Sequence, residues 1–160
     1  MPLPRPWALE DPAPTQRRPT VEIVVFSDEQ ITAAVQFLIP FAEDRAQTAS
    51  YTRVFEAAGL PSPRQLFESG EGESVTRFMK ALHERRLDDG MPPLDSLVVN
   101  MEGSRKGSPG SGYFTVNGFS DPGAERASAE DVVRGHSAWS RQVDQCRAWG
   151  RQHRRDRRRE

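Results

Sequence analysis

The chain has little of the chemistry that metal centres, disulfides and membranes require. It contains one cysteine, Cys146, and three histidines among 160 residues. A single thiol excludes an internal disulfide, and so small a set of ligands argues against a zinc cage. The chain has no run of about 18 apolar residues, so we expect no membrane-spanning helix. The start of the chain lacks the apolar segment of a signal peptide, and we therefore expect a cytoplasmic protein without metal or other cofactor.

Apolar residues are also scarce, at 36% of the chain, and the mean hydropathy is -0.70. So few apolar residues are sufficient for one modest hydrophobic core, and we expect part of the chain to remain unpacked. Residues 1–19 hold six of the 13 prolines. Because proline fixes φ and lacks an N–H donor, this segment is predicted to be an extended arm.

The net charge of -1 conceals a strong asymmetry along the chain. Residues 147–160 carry seven arginines against Asp156 and Glu160, a charge of +5, so the other 146 residues carry -6. An acidic body with a basic tail repels nucleic acid overall, so any contact with nucleic acid must come from local basic patches.

Hydrophobic patterning then predicts a succession of short elements. Val21–Phe26 has the β-branched content of a strand, and a helix capped by Ser27 or Asp28 follows it. Tyr51–Ala58 is predicted to be a short helix that Gly59 ends, and a further short helical turn at 65–67 follows. A longer helix is predicted from Ser74, as its N-cap, to Asp89.

Two further strands are predicted at Leu94–Asn100 and Tyr113–Asn117, joined by a glycine-rich loop that carries Arg105 and Lys106. Two helical segments, a longer helix, a strand, a basic loop and a strand are the order of a winged-helix domain. The predicted fold class is α+β, with a small antiparallel sheet and an additional amphipathic helix. The predicted divisions are the arm 1–19, the winged-helix-like domain 20–118, the loop 119–127, the helix 128–150 and the arginine-rich tail 151–160.

The segment Tyr51-Thr-Arg-Val-Phe-Glu-Ala-Ala-Gly-Leu-Pro resembles the entry to the helix-turn-helix in the DNA-binding domain of alkyltransferase-like proteins. The resemblance covers residues 50–117, and the hydrophobic strand and glycine-rich wing follow in a similar order. The Pro-Cys-His-Arg centre of that family is absent here, since Cys146 lies outside the matched segment. The resemblance implies a DNA-binding shape without alkyl-acceptor chemistry. Pro92–Asn100 and Gly110–Phe114 are also similar to segments of small bacterial proteins.

Three groups of residues are candidates for contacts with nucleic acid. The outward face of the long helix, on which the spacing also places His83, can enter a major groove. The loop tip can meet phosphates, and the start of the Tyr51 helix suits a phosphate. The arginine tail adds affinity through counterion release. The candidate residues are Tyr51, Thr52, Arg53, Thr76, Arg77, Lys80, Arg105, Lys106, Arg154, Arg155, Arg157 and Arg158.

The amphipathic helix supplies a different hypothesis, that of a protein-binding adaptor or inhibitor. Its apolar stripe follows a heptad-like spacing, which can bury against the domain, a second copy or a partner protein. The stripe consists of Val132, His136, Trp139, Val143, Cys146 and Trp149. The acidic body offers a second route to an inhibitor, by imitating the charge of nucleic acid.

No catalytic set emerges from the motifs. Asp95 and Glu102 are weakly similar to the acidic pair of magnesium-dependent nucleases, but Lys106 follows Glu102 at the wrong spacing. His83-Glu84 lacks the second histidine of a zinc protease motif. The sequence therefore predicts a non-catalytic nucleic-acid-binding protein of regulatory or accessory function. DNA is the first candidate and RNA the second, while the adaptor and nuclease remain the alternatives.

Overall fold

The computed structural model describes residues 26–44 and 47–160, and most of them are helical. Six α-helices, one 3-10 turn and two short strands occur in this part of the chain. In order they are α1 (Asp28–Glu43), β1 (Ala49–Ser50), α2 (Tyr51–Ala57), α3 (Pro63–Glu68), α4 (Glu73–Asp88), the 3-10 turn (Leu94–Leu97), β2 (Val98–Val99), α5 (Ser111–Val116) and α6 (Ala129–Arg159). The predicted arm 1–19 and the residues 21–25 of the first predicted strand lie outside the described residues.

Helix α1 begins at a capping box, as Ser27 accepts from the backbone N–H of Gln30 and the Gln30 side chain accepts from that of Ser27. Its buried side chains recur at helical spacing, which is the pattern that predicted this helix. Pro40 lies inside the last turn without ending the helix. Phe41 and Ala42, just beyond it, are buried and hold that turn against the core.

The α2–α3–α4 segment confirms the predicted succession of two short helical segments and a longer helix. Ser50 and Ser62 cap α2 and α3, and Gly59 ends the first segment with φ +72°, a left-handed conformation that glycine adopts without strain. The predicted N-cap of α4 was wrong. Gly72 holds the N-cap position, and Ser74 lies inside the first turn, where it is buried.

The sheet is parallel, so the predicted antiparallel sheet was wrong for the described part of the chain. Ala49 pairs with Val98 and Ser50 with Val99. The predicted strand at 94–100 is shorter than expected because its first half forms the 3-10 turn. Two residues in each strand give few ladder hydrogen bonds. The long helical connection between β1 and β2 permits their parallel direction, which a tight hairpin turn would not.

The predicted strand Tyr113–Asn117 is helical and belongs to α5. Tyr113 and Phe114 are both buried, although they are consecutive. A strand would direct consecutive side chains to opposite faces, whereas a helix separates them by about 100° and lets both face the protein. The α+β class is confirmed in its coarse form. The winged-helix assignment is not confirmed, because the hairpin that would form the wing is absent from this region.

In place of a wing, residues 100–110 form a closed loop. The backbone N–H of Asn100 donates to Ser108 O at 2.9 Å, and that of Gly107 donates to Asn100 O at 2.7 Å. The Asn100 side chain also donates to Ser108 O, at 3.0 Å. These bonds fix the loop against the end of β2.

The core lies between α1, α2, α4 and the 3-10 turn, and α6 closes it from one side. Phe55 and Phe78 pack edge to face with their ring centroids 5.0 Å apart, and Phe26 meets Phe78 at 5.1 Å. Leu38 and Leu82 are fully buried beside them. No helix in the described ranges has the length and apolar character needed to cross a bilayer.

Helix α6 starts at a capping box, in which Ser128 and Asp131 exchange hydrogen bonds. It continues to Arg159, so the tail that the sequence placed after residue 150 is a continuous part of the helix. Arginine is a good helix former, and contacts with α1 stabilise the added turns. The tail therefore presents its charges on a fixed frame.

Candidate nucleic-acid interface

Four exposed arginines form one stripe on the last turns of α6. They stand at i, i+3, i+4 and i+7, so they share a face about 10 Å long. We call this stripe, Arg151, Arg154, Arg155 and Arg158, the arginine face. The sequence placed Arg154, Arg155 and Arg158 in the candidate set, and Arg151 joins them because the helix continues.

Arg157, the fourth tail arginine in the candidate set, lies beside the arginine face but is engaged with the body of the protein. It pairs with Glu43 at the end of α1, and His153 Nδ1 lies 3.1 Å from the other oxygen of the same carboxylate. The Trp149 ring stacks on His153 with the centroids 4.5 Å apart. Arg157 is therefore engaged in a contact within the protein. Together these contacts hold the last turns of α6 against the end of α1.

Arg147, a buried residue of α6, also connects α6 to α1. It is buried, and its guanidinium donates to the carbonyl oxygens of Phe41, Asp44 and Gln47, the last at 2.6 Å. These are carbonyls at the end of α1 and in the segment just after it, where a helix leaves its acceptors unpaired. Burial lowers the pKa of Arg147 from its ordinary value. The side chain acts as a cap for α1 from another helix.

A shallow groove of about 860 Å³ separates the arginine face from the end of α1. Its arginine wall faces Pro40, Glu43 and Asp44. The two carboxylates reduce the positive potential on that side.

The outward face of α4 carries the predicted cations, each beside a carboxylate. Arg77 lies 3.4 Å from Glu73, and Lys80 lies 3.9 Å from Glu84. Such exposed pairs are weak, and a phosphate can replace the carboxylate at little cost. Thr76 is exposed on the same helix. His83, which the spacing placed on this outward line, is buried instead.

The start of α2 is largely occupied by contacts within the protein. Ser50 accepts from the Arg53 N–H, and the Tyr51 hydroxyl accepts from the Gly110 N–H at 2.8 Å. Burial raises the pKa of Tyr51 to about 12. Arg53 lies over the Phe37 ring, 5.4 Å from its centroid. Thr52 is exposed, so the predicted phosphate site at this helix start keeps one free polar side chain.

The two basic residues of the loop separate in the structure. Arg105 makes two hydrogen bonds to the carboxylate of Asp121, at 2.7 and 2.8 Å, whereas Lys106 is exposed. The hydrogen bonds to Asp121 raise the pKa of Arg105 and lower that of Asp121. The ion pair fastens the loop to the segment before α6, so Arg105 serves the fold and Lys106 remains available.

The apolar stripe of α6 packs mainly on its own domain. The Trp139 indole N–H donates to Ser96 O at 2.8 Å, and Val143 and Trp149 pack against the core. Val132 is half-buried, and His136 is exposed beside Trp139, with the ring centroids 6.4 Å apart. This intramolecular packing leaves little of the predicted stripe for a partner.

His83 and Asp95 belong to a buried polar cluster that no local sequence pattern indicates. His83 Nδ1 lies 3.1 Å from Asp95 Oδ2, which also accepts from the Asn117 amide at 3.4 Å. Arg86 Nε lies 4.0 Å from the other oxygen, Asp95 Oδ1. Asp95 is 3% exposed whereas Glu102 is exposed, so the two carboxylates of the nuclease hypothesis occupy different environments. Within the described ranges, no group of three or more histidine, cysteine, aspartate or glutamate side chains is placed to hold a metal.

No protein-family model, curated protein or solved structure matches the chain. The resemblance of residues 50–117 to the alkyltransferase-like domain therefore stays a prediction.

Proposed function

We propose that the protein binds nucleic acid, with DNA as the first candidate, and that the phosphate backbone lies against the arginine face of α6. The observation that carries this proposal is the continuation of α6 through the arginine tail. Four guanidinium groups on a helix that is docked to α1 form a fixed array, and fixed cations lose less entropy on binding phosphate than those on a disordered tail.

The α4 helix supplies a second, weaker contact in this proposal. Thr76, Arg77 and Lys80 are exposed on the helix that follows the α2–α3 pair, and Lys106 is exposed on the loop after β2. In the helix-turn-helix order that residues 50–117 resemble, the helix that follows the short pair, here α4, is the one that enters the groove. Binding in this form tolerates many sequences, which suits a regulatory or accessory protein of the cytoplasm.

Two features weigh against the alternatives. An adaptor that used Trp139, Val143 and Trp149 would have to remove them from their own core, at a cost of several contacts. A nuclease needs carboxylates that converge on a metal, and Asp95 is engaged with His83 and Asn117. The nucleic-acid proposal requires no such rearrangement.

The test is fluorescence anisotropy of the full chain with a mixed-sequence DNA duplex over a salt series. The variant replaces Arg151, Arg154, Arg155 and Arg158 by glutamine. Since each lost phosphate contact changes the slope of log K against log salt by about 0.9, the loss of four contacts should make the slope shallower by about 3.6 and lower the affinity by at least about tenfold.

The matched control replaces four exposed arginines elsewhere by glutamine and so makes the same change in net charge. These are Arg64, Arg126, Arg134 and Arg141. An equal loss in both variants would reject the arginine face as the site. Absence of binding at low salt by the unaltered chain would reject the proposed function. Duplex DNA and single-stranded RNA in parallel decide which nucleic acid binds more tightly.

A further inference from the structure

The carboxylate of Glu43 connects the end of α1 with the last turns of α6. Its side chain is 9% exposed, its Oε1 lies 3.1 Å from His153 Nδ1, and its Oε2 accepts from Arg157. The ring of Trp149 covers His153, and the two ring planes are 18° apart. One largely buried carboxylate therefore has two nitrogen partners. Arginine is always charged, whereas histidine can be neutral or charged.

Arg157 is the partner that the arginine face could use. Its side chain is 58% exposed, and it lines the same groove as the four arginines of that face. While it neutralises Glu43, the pair adds no net charge to the groove. The pairing therefore keeps a fifth cation from a phosphate backbone.

The protonation of His153 determines what the release of Arg157 costs. When His153 is neutral, Arg157 can leave Glu43 only if a largely buried carboxylate is left without a cation, which is costly. When His153 is protonated, the imidazolium 3.1 Å away neutralises the carboxylate in place of Arg157. Histidine is the side chain that ordinarily gains its charge between pH 8 and 5.

The other charged groups of the groove keep their charges over this range. Carboxylates ordinarily titrate at about pH 4 and guanidinium groups above about pH 12, so His153 is the group that changes its charge here between pH 8 and 6. The other charged groups are Asp44 at the end of α1 and Arg151, Arg154, Arg155 and Arg158 on α6.

We propose that protonation of His153 releases Arg157 from Glu43 to the arginine face, so that the protein binds a phosphate backbone more tightly at pH 6 than at pH 8. This regulation rests on the proposed function, since it acts on the same arginine face. Binding and protonation are reciprocally linked, so phosphate binding should in turn favour the uptake of the proton.

The test is fluorescence anisotropy of the full chain with a mixed-sequence DNA duplex, over a salt series at pH 6 and at pH 8. One added phosphate contact should make the slope of log K against log salt steeper by about 0.9 at pH 6 and raise the affinity roughly three- to eightfold at about 0.1 M salt. Equal slopes and affinities at the two pH values would overturn this regulation alone. Absence of binding at both would overturn the proposed function with it.

Substitutions of the two α6 histidines locate the proton. His153→Gln stays neutral and should bind at both pH values as the unaltered chain does at pH 8. His153→Arg stays cationic and should bind at both as the unaltered chain does at pH 6. The matched control is His136→Gln, at an exposed position about 25 Å away along the same helix, which should keep the pH dependence. A pH dependence that persists in either folded His153 variant, or that is lost in His136→Gln, would contradict His153 as its source.

Arg157→Gln tests which cation reaches the phosphate. In this variant the protonation of His153 has no arginine to release, so the slope of log K against log salt should be the same at pH 6 and pH 8. A slope that still becomes steeper at pH 6 would assign the added contact to His153 itself and overturn the release of Arg157.

Discussion

Gly150 on α6 faces the carbonyl group of Ala42 on α1 so closely that no side chain fits between the two helices. A Cβ atom at position 150 would also lie 2.7 Å from the backbone nitrogen of Glu43. Both contacts are with backbone, which cannot turn aside as a flexible side chain can. This crossing holds the last turns of α6 against α1 and so sets the direction of the arginine face.

Gly150→Ala should lower the free energy of unfolding by about 1–3 kcal/mol, because the added methyl group forces the two helices apart. Urea denaturation measures the change. The control is Gly112→Ala in α5, where the new Cβ would lie 3.6 Å from Thr76 Cγ2, an ordinary contact. Because alanine favours a helix over glycine, the control should be neutral or more stable by about 0.5–1 kcal/mol. Equal effects in both variants would argue against a close helix crossing.

Arg147→Met should lower the free energy of unfolding by about 2–4 kcal/mol. It keeps a long side chain but leaves the carbonyls of Phe41, Asp44 and Gln47 without this buried donor. Arg151→Met, at an exposed position of the same helix, should change stability by no more than about 0.5 kcal/mol. Urea midpoints compare the two. A small effect at Arg147 would show that water replaces the guanidinium at these carbonyls.

Removal of the Asp121 carboxylate should flatten the acid side of the stability profile. The hydrogen bonds from Arg105 hold the pKa of Asp121 below its ordinary value of 3.8. A carboxyl with a lowered folded pKa stabilises the protein above its unfolded pKa, and that stabilisation is lost as pH falls through the folded pKa. The free energy of unfolding should therefore exceed that of Asp121→Asn most at neutral pH, and the difference should shrink below about pH 4.

Urea denaturation at pH 7, 5, 4 and 3 measures this difference. Glu125→Gln, which neutralises an exposed carboxylate in the same segment, is the charge-matched control. A gap between the unaltered chain and Asp121→Asn that stays constant over the whole pH range would contradict the ion pair as its source.

Trp139→Phe should lower the free energy of unfolding by about 1 kcal/mol, since the ring stays but the hydrogen bond to the buried Ser96 carbonyl is lost. Val133→Ala on the same helix, where the side chain is 65% exposed, should be nearly neutral. Thermal or urea unfolding measures both. If Trp139→Phe instead left stability unchanged and altered the oligomeric state in light scattering, the adaptor hypothesis would regain support.

Much of the helical structure could be predicted from local sequence patterns. The N-cap at Ser27 and the glycine stop at Gly59 depend on a few neighbouring residues, and both are confirmed. The prediction of a strand at residues 113–117 was wrong, because five residues of mixed polarity fit a strand and a short helix equally well. Its helical state follows from the burial of Tyr113 and Phe114 together, which depends on the rest of the fold.

The candidate site shows the same division between features set by local sequence patterns and features set by distant contacts. Spacing alone placed the tail cations, but it could not reveal that Arg105 pairs with Asp121, sixteen residues away, or that Arg157 pairs with Glu43. It also treated His83 as an outward residue, because the face of α4 that meets Asp95 is decided by the packing of the 3-10 turn. Whether a charged side chain is exposed or is paired within the protein depends on residues far away in the sequence.

By itself the sequence determined the charge division between body and tail, the main helices and their caps, and the scarcity of metal and disulfide chemistry. These follow from composition and from interactions within one or two helical turns. The tertiary structure alone decided the parallel sheet, the burial of Asp95 with His83, and the docking of α6 that converts a charged tail into an ordered arginine face. Each of these joins residues far apart in the chain, and packing and hydrogen bonding between such residues leave no periodic pattern in the sequence.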